Sequence, residues 1–189
     1  MIRRLPVLAT LVVLIAAGIM VRLGFWQLDR LHQKEAMIAQ FRAAAADPAV
    51  HPWPDADRAA VPYTRVVLDC RAAGAPQPEA GRNRAGQAGW AQVAACTTPE
   101  GGRARIVLGW SARPAAVAWT GGAVTGTYVA RDEGAVVFAD PPLAGLQPNA
   151  RPDPRDLPNN HLAYAVQWFA FAAVALVIYA LALRKRLRG

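Results

Sequence analysis

The chain begins and ends with long apolar segments, and most of its polar residues lie between them. Residues 5–21 carry no charge, and with the next five residues they form a largely apolar helix at 5–26. At about 1.5 Å per residue, this helix exceeds the roughly 30 Å of a bilayer's hydrocarbon core. Residues 162–183 are also uncharged and of similar length. The pattern predicts two transmembrane helices, at 5–26 and 161–183.

Each apolar segment has an alternative interpretation. The first resembles a signal peptide, since a basic N-terminus precedes it and residues 15–17 form a weak cleavage site. The helical pattern nevertheless continues through residues 25–46, well beyond a signal peptide. The alternative for the second segment is a buried core helix, but a charge-free run of this length favours a membrane span.

Between the helices, the apolar residues change from a helical period to alternation. Strands are expected at 63–71, 89–98, 104–110, 122–131 and 134–140. Turn-forming residues at 99–102 and 131–134 predict hairpins, so an antiparallel sheet or small barrel is expected. The segment 72–89 is rich in Pro and Gly and is predicted to be a loop. The Pro-rich segment 141–160 is predicted to be a stiff, extended return to the membrane, with Asn159 or Asn160 capping the second helix.

The charges predict the orientation of the chain. The net charge is +8, and the excess basic residues lie near the helix ends: Arg3, Arg4, Arg22, Arg184, Lys185, Arg186 and Arg188. By the positive-inside rule, the termini at 1–4 and 184–189 are cytoplasmic and the domain at 27–160 is extracytoplasmic. The basic composition therefore reports orientation, and no nucleic-acid partner is expected.

The fold class predicted is an α+β membrane protein, in which two transmembrane helices bracket an antiparallel β-rich extracytoplasmic domain. The first helix begins almost at residue 1, without an Arg- and Ser-rich transit peptide. We therefore expect a bacterial inner (plasma) membrane protein with a periplasmic domain. Cys70 and Cys96 lack the spacing of a redox pair. They are either bridged in a disulfide, as that compartment allows, or two free buried thiols.

Candidate chemistry is confined to the outer mouths of the helices, because no hydrolase, transferase or nucleotide-binding signature occurs. His161, Tyr164 and Trp168 share one helical face, and Gln27 and Gln167 place amides at membrane depth. A haem between two helices would use a histidine as axial ligand, aromatic walls and an arginine for its propionates. The alternative is an ordinary aromatic belt with a solvated histidine.

Two motifs at these mouths resemble the Surfeit locus protein one family, which contains assembly factors for cytochrome c oxidase. "GFWQLDRLHQK" matches the first family motif at Gly24, Trp26, Gln27, Arg30 and Lys34. "NNHLAYAVQWF" matches the second at Asn159, His161, Tyr164, Ala165, Trp168 and Phe169. In "VLGWSARP", Gly109, Trp110 and Pro114 match a third pattern, but its Asn-Arg pair is missing, so a role for that arginine is not carried over.

The resemblance implies a non-enzymatic role in delivering haem a to oxidase subunit one, with haem a synthase as a further candidate partner. Carried over residue by residue, it makes His161 the ligand of the haem iron. The site would be lined or supported by Trp26, Gln27, Arg30, Tyr164 and Trp168. Gln167, which is not part of the motif, is a further candidate because of its amide at membrane depth. The competing hypothesis is a haem-free membrane scaffold that stabilises an oxidase assembly intermediate.

Overall fold

A computed structural model describes residues 6–53, 60–132 and 134–188 of the chain. The predicted N-terminal segment 1–4 and residue 133 of the predicted turn 131–134 lie outside these ranges. Contacts divide the chain into two compact units. One, the helical unit, comprises Met1–Met37 and Pro158–Gly189; the other, the β unit, comprises Ile38–Leu157.

The β unit is built on one sheet of eight strands within the described residues. They are β1 Val50–Pro52, β2 Arg65–Cys70, β3 Ala72–Ala73, β4 Gln77–Arg82, β5 Ala88–Thr97, β6 Arg103–Ser111, β7 Gly122–Arg131 and β8 Gly134–Ala139. The five predicted strands are thus confirmed, with ends shifted by one or two residues. Three short strands, β1, β3 and β4, were not predicted.

The sheet is mixed, so the prediction of an antiparallel sheet was wrong in this respect. The strand order is β1-β2-β7-β8-β6-β5-β3, with β4 paired to β5. The β1–β2 and β6–β8 pairs are parallel, and the others are antiparallel. The connection 112–121 carries the chain from β6 past the position of β8, and β8 then returns between β7 and β6. Alternation of apolar residues marks each strand but does not encode this order.

The prediction of a loop at 72–89 was also wrong, because this segment contains β3 and β4. Pro78 is tolerated since β4 pairs only with β5 among the described strands, and Pro is compatible with an edge position. At Gly81, a Cβ atom would lie 2.9 Å from the Cβ of Ala91. The missing side chain therefore lets β4 approach β5 closely. The breaker residues that suggested a loop are what this edge strand requires.

Most of the apolar core lies on one face of the sheet. It contains Val66, Leu68, Cys70, Ala94, Cys96, Ile106, Leu108, Val124 and Val137 among its buried residues. Cys70 of β2 and Cys96 of β5 form a disulfide with their Cα atoms 5.6 Å apart. A smaller cluster contains Ala91, Val93, Val107 and Val136, packed against Phe138. Its members on β5 and β6 alternate with core residues, so this cluster occupies the opposite face.

The return segment 141–160 is extended where it lies along the sheet, but a short helix interrupts it. Gln147 exchanges two backbone hydrogen bonds with Trp110, with N–O distances of 2.7 and 3.1 Å. A 3-10 helix follows at Pro154–Asp156, and the Asp153 side chain caps it by accepting from the backbone N–H of Arg155. Hydrogen bonds from the Arg155 side chain and backbone lower the pKa of Asp153.

The helical unit contains most of two long helices. α1 spans Val7–Ala46 and α2 spans His161–Arg188, so the predicted helical continuation to residue 46 is confirmed. Both are long and apolar enough to cross a membrane. Only 11% of the apolar stretch of α1 and 6% of that of α2 is buried within the protein. A core helix would be mostly buried, so the membrane interpretation is favoured over the core alternative.

The two helices pack antiparallel along a seam of small residues. Thr10 hydrogen-bonds to the hydroxyl of Tyr179, and Gln27 bonds to His161, so positions rise along α1 as they fall along α2. Between these contacts, the buried seam positions are small: Ala17, Gly24, Ala165 and Ala172. The pairs are seven residues apart on each helix, which is the spacing of a left-handed helix pair. The small residue Gly24 leaves room for a larger side chain of α2, because the ring of Phe169 occupies the space that a Cβ atom at Gly24 would need.

Gly24 and Gly18 provide a matched test of this seam. A Cβ atom at Gly24 would lie 2.5 Å from the Phe169 ring, whereas one at Gly18 meets nothing within 4 Å. We expect Gly24→Leu to push the helices apart by about 1–3 Å, since packed helix axes lie only about 8–10 Å apart. Gly18→Leu should leave the spacing unchanged. Spin labels on cysteines introduced at Leu14 and Val177, both exposed, would report this by pulsed EPR. Equal distance distributions for the two variants would contradict the seam.

Candidate functional site

The candidate site is built from one face of α1 and the first residue of α2. Gln27, Arg30 and Lys34 lie three and four residues apart, so the helix places them in one row. His161 is the first residue of α2. The backbone N–H of Tyr164 donates to the carbonyl of Asn160 at 3.2 Å, which begins the helix. The antiparallel packing of the helices brings this histidine against the α1 row.

The central contact joins His161 Nδ1 to Gln27 Oε1 at 2.7 Å, between residues 134 positions apart. An amide oxygen can only accept, so Nδ1 carries the proton. In the neutral imidazole the other nitrogen, Nε2, then keeps its lone pair. Gln27 therefore favours the tautomer in which the lone pair of Nε2 is available to a metal, as the hydrogen-bond partners of metal-binding histidines commonly do.

An open pocket of about 280 Å³ lies beside this pair. Its lining comprises Arg30, Gln33, Lys34, Met37 and His161. Arg30 Nη1 donates to Gln33 Oε1 at 2.8 Å, which orients the guanidinium at the rim. The pocket thus combines one imidazole with two cationic groups and a thioether. Such a set suits a ligand that contains a metal and also carries negative charge.

The remaining predicted residues lie outside this lining. Trp26 and Tyr164 are about half exposed, at 52% and 50%, and Gln167 is exposed as well. Trp168 is half-buried and packs edge-on against Phe171, with ring centroids 6.3 Å apart. The structure brings Gln27, Arg30 and His161 together, while the aromatic residues occupy neighbouring parts of the helix surfaces.

Asn159 does not act as the predicted side-chain cap of α2. Its Oδ1 atom is buried and receives no hydrogen bond within the described part of the chain. Asn160 occupies the cap position through its backbone carbonyl, which accepts from Tyr164. Asn159 therefore leaves an unused acceptor two residues before His161.

Three pocket residues were absent from the predicted site: Gln33, Lys34 and Met37. Their spacing from Arg30 could have predicted them, because it places them on the same helical face. Gln33 and Lys34 follow Arg30 by three and four residues, and Met37 follows by seven, so all lie on nearby parts of one helical face. Lys34 also stands in the motif "GFWQLDRLHQK".

The protein supplies few ligands for a bare metal ion. Within residues 6–53, 60–132 and 134–188, no group of three His, Cys, Asp or Glu side chains could hold one. A single histidine is nevertheless sufficient for a metal whose other ligands come from a macrocycle, since haem proteins commonly use one proximal histidine. The donor set at the helix mouth therefore fits a haem better than a free cation.

Comparison with known proteins identifies one family. The model of the SURF1 family matches residues 14–173, which is most of the chain and includes both helix mouths and the β unit. This confirms the resemblance inferred from the two motifs. No curated protein matches the chain.

Proposed function

The chain belongs to the SURF1 family of cytochrome c oxidase assembly factors, and we propose that it binds haem a beside His161 and assists its insertion into oxidase subunit one. The observation that carries this proposal is the hydrogen bond between Gln27 Oε1 and His161 Nδ1. It leaves Nε2 of His161 as a ligand for iron. The family is one of assembly factors and not of known enzymes, so the haem is cargo and not a catalytic group.

The cationic residues of the pocket support this cargo. Haem carries two propionates, and Arg30 and Lys34 line the same pocket as His161. Hydrogen bonds between these cations and carboxylates are charge-assisted and stronger than neutral ones. A pocket of about 280 Å³ is at the lower end for small ligands. The rest of the macrocycle would therefore lie outside the pocket, on exposed apolar side chains of the helices. Trp26 and Tyr164 are candidates, because they are exposed and close in sequence to Gln27 and His161.

Release is as necessary as binding for a carrier. A single histidine, backed by a neutral amide and not by a carboxylate, would hold the iron more weakly than two ligands or a more basic imidazole would. The pocket is also open. These properties favour transfer of haem a from a donor such as haem a synthase to oxidase subunit one.

We place the protein in a bacterial inner membrane, with the β unit in the periplasm and both termini in the cytoplasm. Arg184, Lys185, Arg186 and Arg188 follow the apolar part of α2, and basic residues favour the cytoplasmic side. The disulfide between Cys70 and Cys96 suits an oxidising compartment. Both observations support the same orientation.

His161 provides the first test of the proposal. In cells that make haem a, His161→Ala should reduce co-purified haem at least tenfold, because it removes the iron ligand. His32→Ala, an exposed histidine on α1, should leave it unchanged. Haem is measured by its Soret band and by pyridine haemochrome. Unchanged haem in His161→Ala would refute the ligand assignment. A wild-type protein without a Soret band, whose deletion still causes oxidase deficiency, would favour the haem-free scaffold.

Gln27 tests the tautomer argument separately. Gln27→Leu removes the acceptor for Nδ1–H, and loss of such a partner typically weakens metal binding about 10–100-fold. Gln27→Glu should retain haem and lower its midpoint potential, since a carboxylate makes the imidazole a stronger donor. Gln40→Leu, exposed on the same helix, is the control. Equal potentials in the wild type and Gln27→Glu would contradict the role of this hydrogen bond.

Orientation is tested with a membrane-impermeant maleimide on single introduced cysteines. Ala85→Cys lies in an exposed turn of the β unit, and Leu187→Cys lies near the end of α2. In spheroplasts we expect immediate labelling at residue 85, whereas residue 187 should react only after permeabilisation. Cys70 and Cys96 are disulfide-bonded and do not interfere. The reverse pattern would place the β unit in the cytoplasm.

A further inference from the structure

The β unit contains a second pocket, on the sheet face opposite the main core. It has a volume of about 300 Å³ and is lined by residues of β4 to β8 and by Asn149 and Ala150 of the return segment. All of these residues belong to the β unit. The pocket therefore shares no lining residue with the His161 pocket, and the proposed haem binding does not use these residues.

The floor of this pocket is apolar. Ala91, Val93, Val107 and Val136 are each at most 8% exposed, and Phe138 packs against them. Val93 pairs with Val107 across β5 and β6, and Val107 pairs with Phe138 across β6 and β8. The three strands thus place adjacent apolar side chains on one face. This floor suits the apolar part of a ligand.

The rim of the pocket is positively charged. Among the described residues, Arg82, Arg105 and Arg131 line it together with one acidic residue, Glu79. Glu79 forms its ion pair with Arg105, so within this part of the lining the positive charges of Arg82 and Arg131 exceed the negative charge. The Arg131 guanidinium lies 5.9 Å from the centroid of the Phe138 ring, which places a cation directly beside the apolar floor.

Asn149 adds a buried donor without a partner. It is only 8% exposed, and its Nδ2 atom donates to no group in the described ranges. The backbone fixes its position, because Asn149 bridges to Asn83 and the next N–H, of Ala150, donates to the carbonyl of Arg82 at 2.9 Å. An unsatisfied buried amide destabilises the protein, and an oxyanion beside it would accept its hydrogen bond.

We propose that this pocket binds a small amphiphilic anion, in which a phosphate or carboxylate is attached to an apolar group. The anionic group would contact Arg82, Arg131 and the amide of Asn149. The apolar group would cover the floor around Val107 and Phe138. Planar guanidinium groups match the oxygens of phosphates and carboxylates, and a purely apolar ligand would leave the Asn149 donor unsatisfied.

The probe for this site is 1-naphthyl phosphate, with neutral 1-naphthol as its matched control. Binding to the full-length protein in a neutral detergent is measured by equilibrium dialysis, with empty micelles subtracted. We expect saturable binding of the phosphate at least tenfold tighter than that of the naphthol, and weakening with added salt. Equal affinities for the two compounds, or no saturable binding of the phosphate, would overturn the proposal.

Variants locate the binding. Arg82→Gln and Arg131→Gln should each weaken binding of naphthyl phosphate about five- to tenfold, as expected for loss of a partly exposed charged hydrogen bond. Arg131→Lys should weaken binding less than Arg131→Gln, because it keeps the charge but loses the planar guanidinium. Arg103→Gln changes an exposed arginine of β6 outside the pocket and should have no effect. Thermal unfolding followed by circular dichroism confirms that each variant is folded. Unchanged affinity in both folded glutamine variants would refute the site.

Competition distinguishes a soluble ligand from a lipid headgroup. Displacement of the probe by phenyl phosphate, which we expect, assigns the site to a soluble amphiphilic anion. Displacement by dihexanoyl phosphatidylglycerol, but not by phenyl phosphate, assigns it to a lipid. Displacement by neither compound would contradict a site for amphiphilic anions.

Discussion

The side-chain packing of α1 against α2 is the constraint on which the candidate site depends. Lipid tails are as apolar as leucine, so membrane helices gain little from burying apolar side chains against each other. The attraction between the helices comes instead from van der Waals packing along the seam. The seam contains Ala17, Gly24, Ala165 and Ala172. A hydrogen bond between membrane helices contributes only about 0.6 kcal/mol on average and at most about 1.7. The bonds of Thr10 and Gln27 therefore fix the register of the helices more than they hold them together.

This register also determines where the polar contacts lie in the membrane. Thr10 and Gln27 are 17 residues apart, which corresponds to about 25 Å along a helix. This is slightly less than the roughly 30 Å of a hydrocarbon core. In a membrane-spanning helix pair the two bonds would lie near opposite boundaries of the bilayer, and the α1 residues between them are uncharged except for Arg22. In the proposed function, Gln27 and His161 would hold the haem at such a boundary, where its charged edge would stay solvated while its apolar part enters the lipid.

The sequence predicted the features that depend on local patterns. Length and charge indicated both helices, and alternation indicated five strands. The motifs indicated Gln27, Arg30 and His161 as neighbours, although they lie at opposite ends of the chain. Strand order was not predictable. β6 leads into β7 through the connection 112–121, and nothing in that connection indicates that β8 will pair between these two strands. β4 was missed because Pro78 and Gly81 are typical of loops. Their place in a strand becomes clear only when β4 is seen to pair with β5, where Gly81 lies against Ala91. Lys34 was recognised in the motif but was not predicted to line the site, because its position there depends on which face of α1 packs against α2.

Both faces of the sheet are apolar at β6: one carries the main core and the other carries the pocket floor. Ile106, Val107 and Leu108 are consecutive and all buried, so β6 is apolar on both faces and its pattern does not show which residues face the main core. Ile106 and Leu108 enter the main core, whereas Val107 faces the pocket floor. No helix of the β unit covers that floor within the described residues. Arginine can cover such a surface with its aliphatic stem while its charged end stays in water. A floor shielded in this way remains protected from solvent yet accessible to an amphiphilic anion, whose apolar part displaces the stems and whose charge meets their ends.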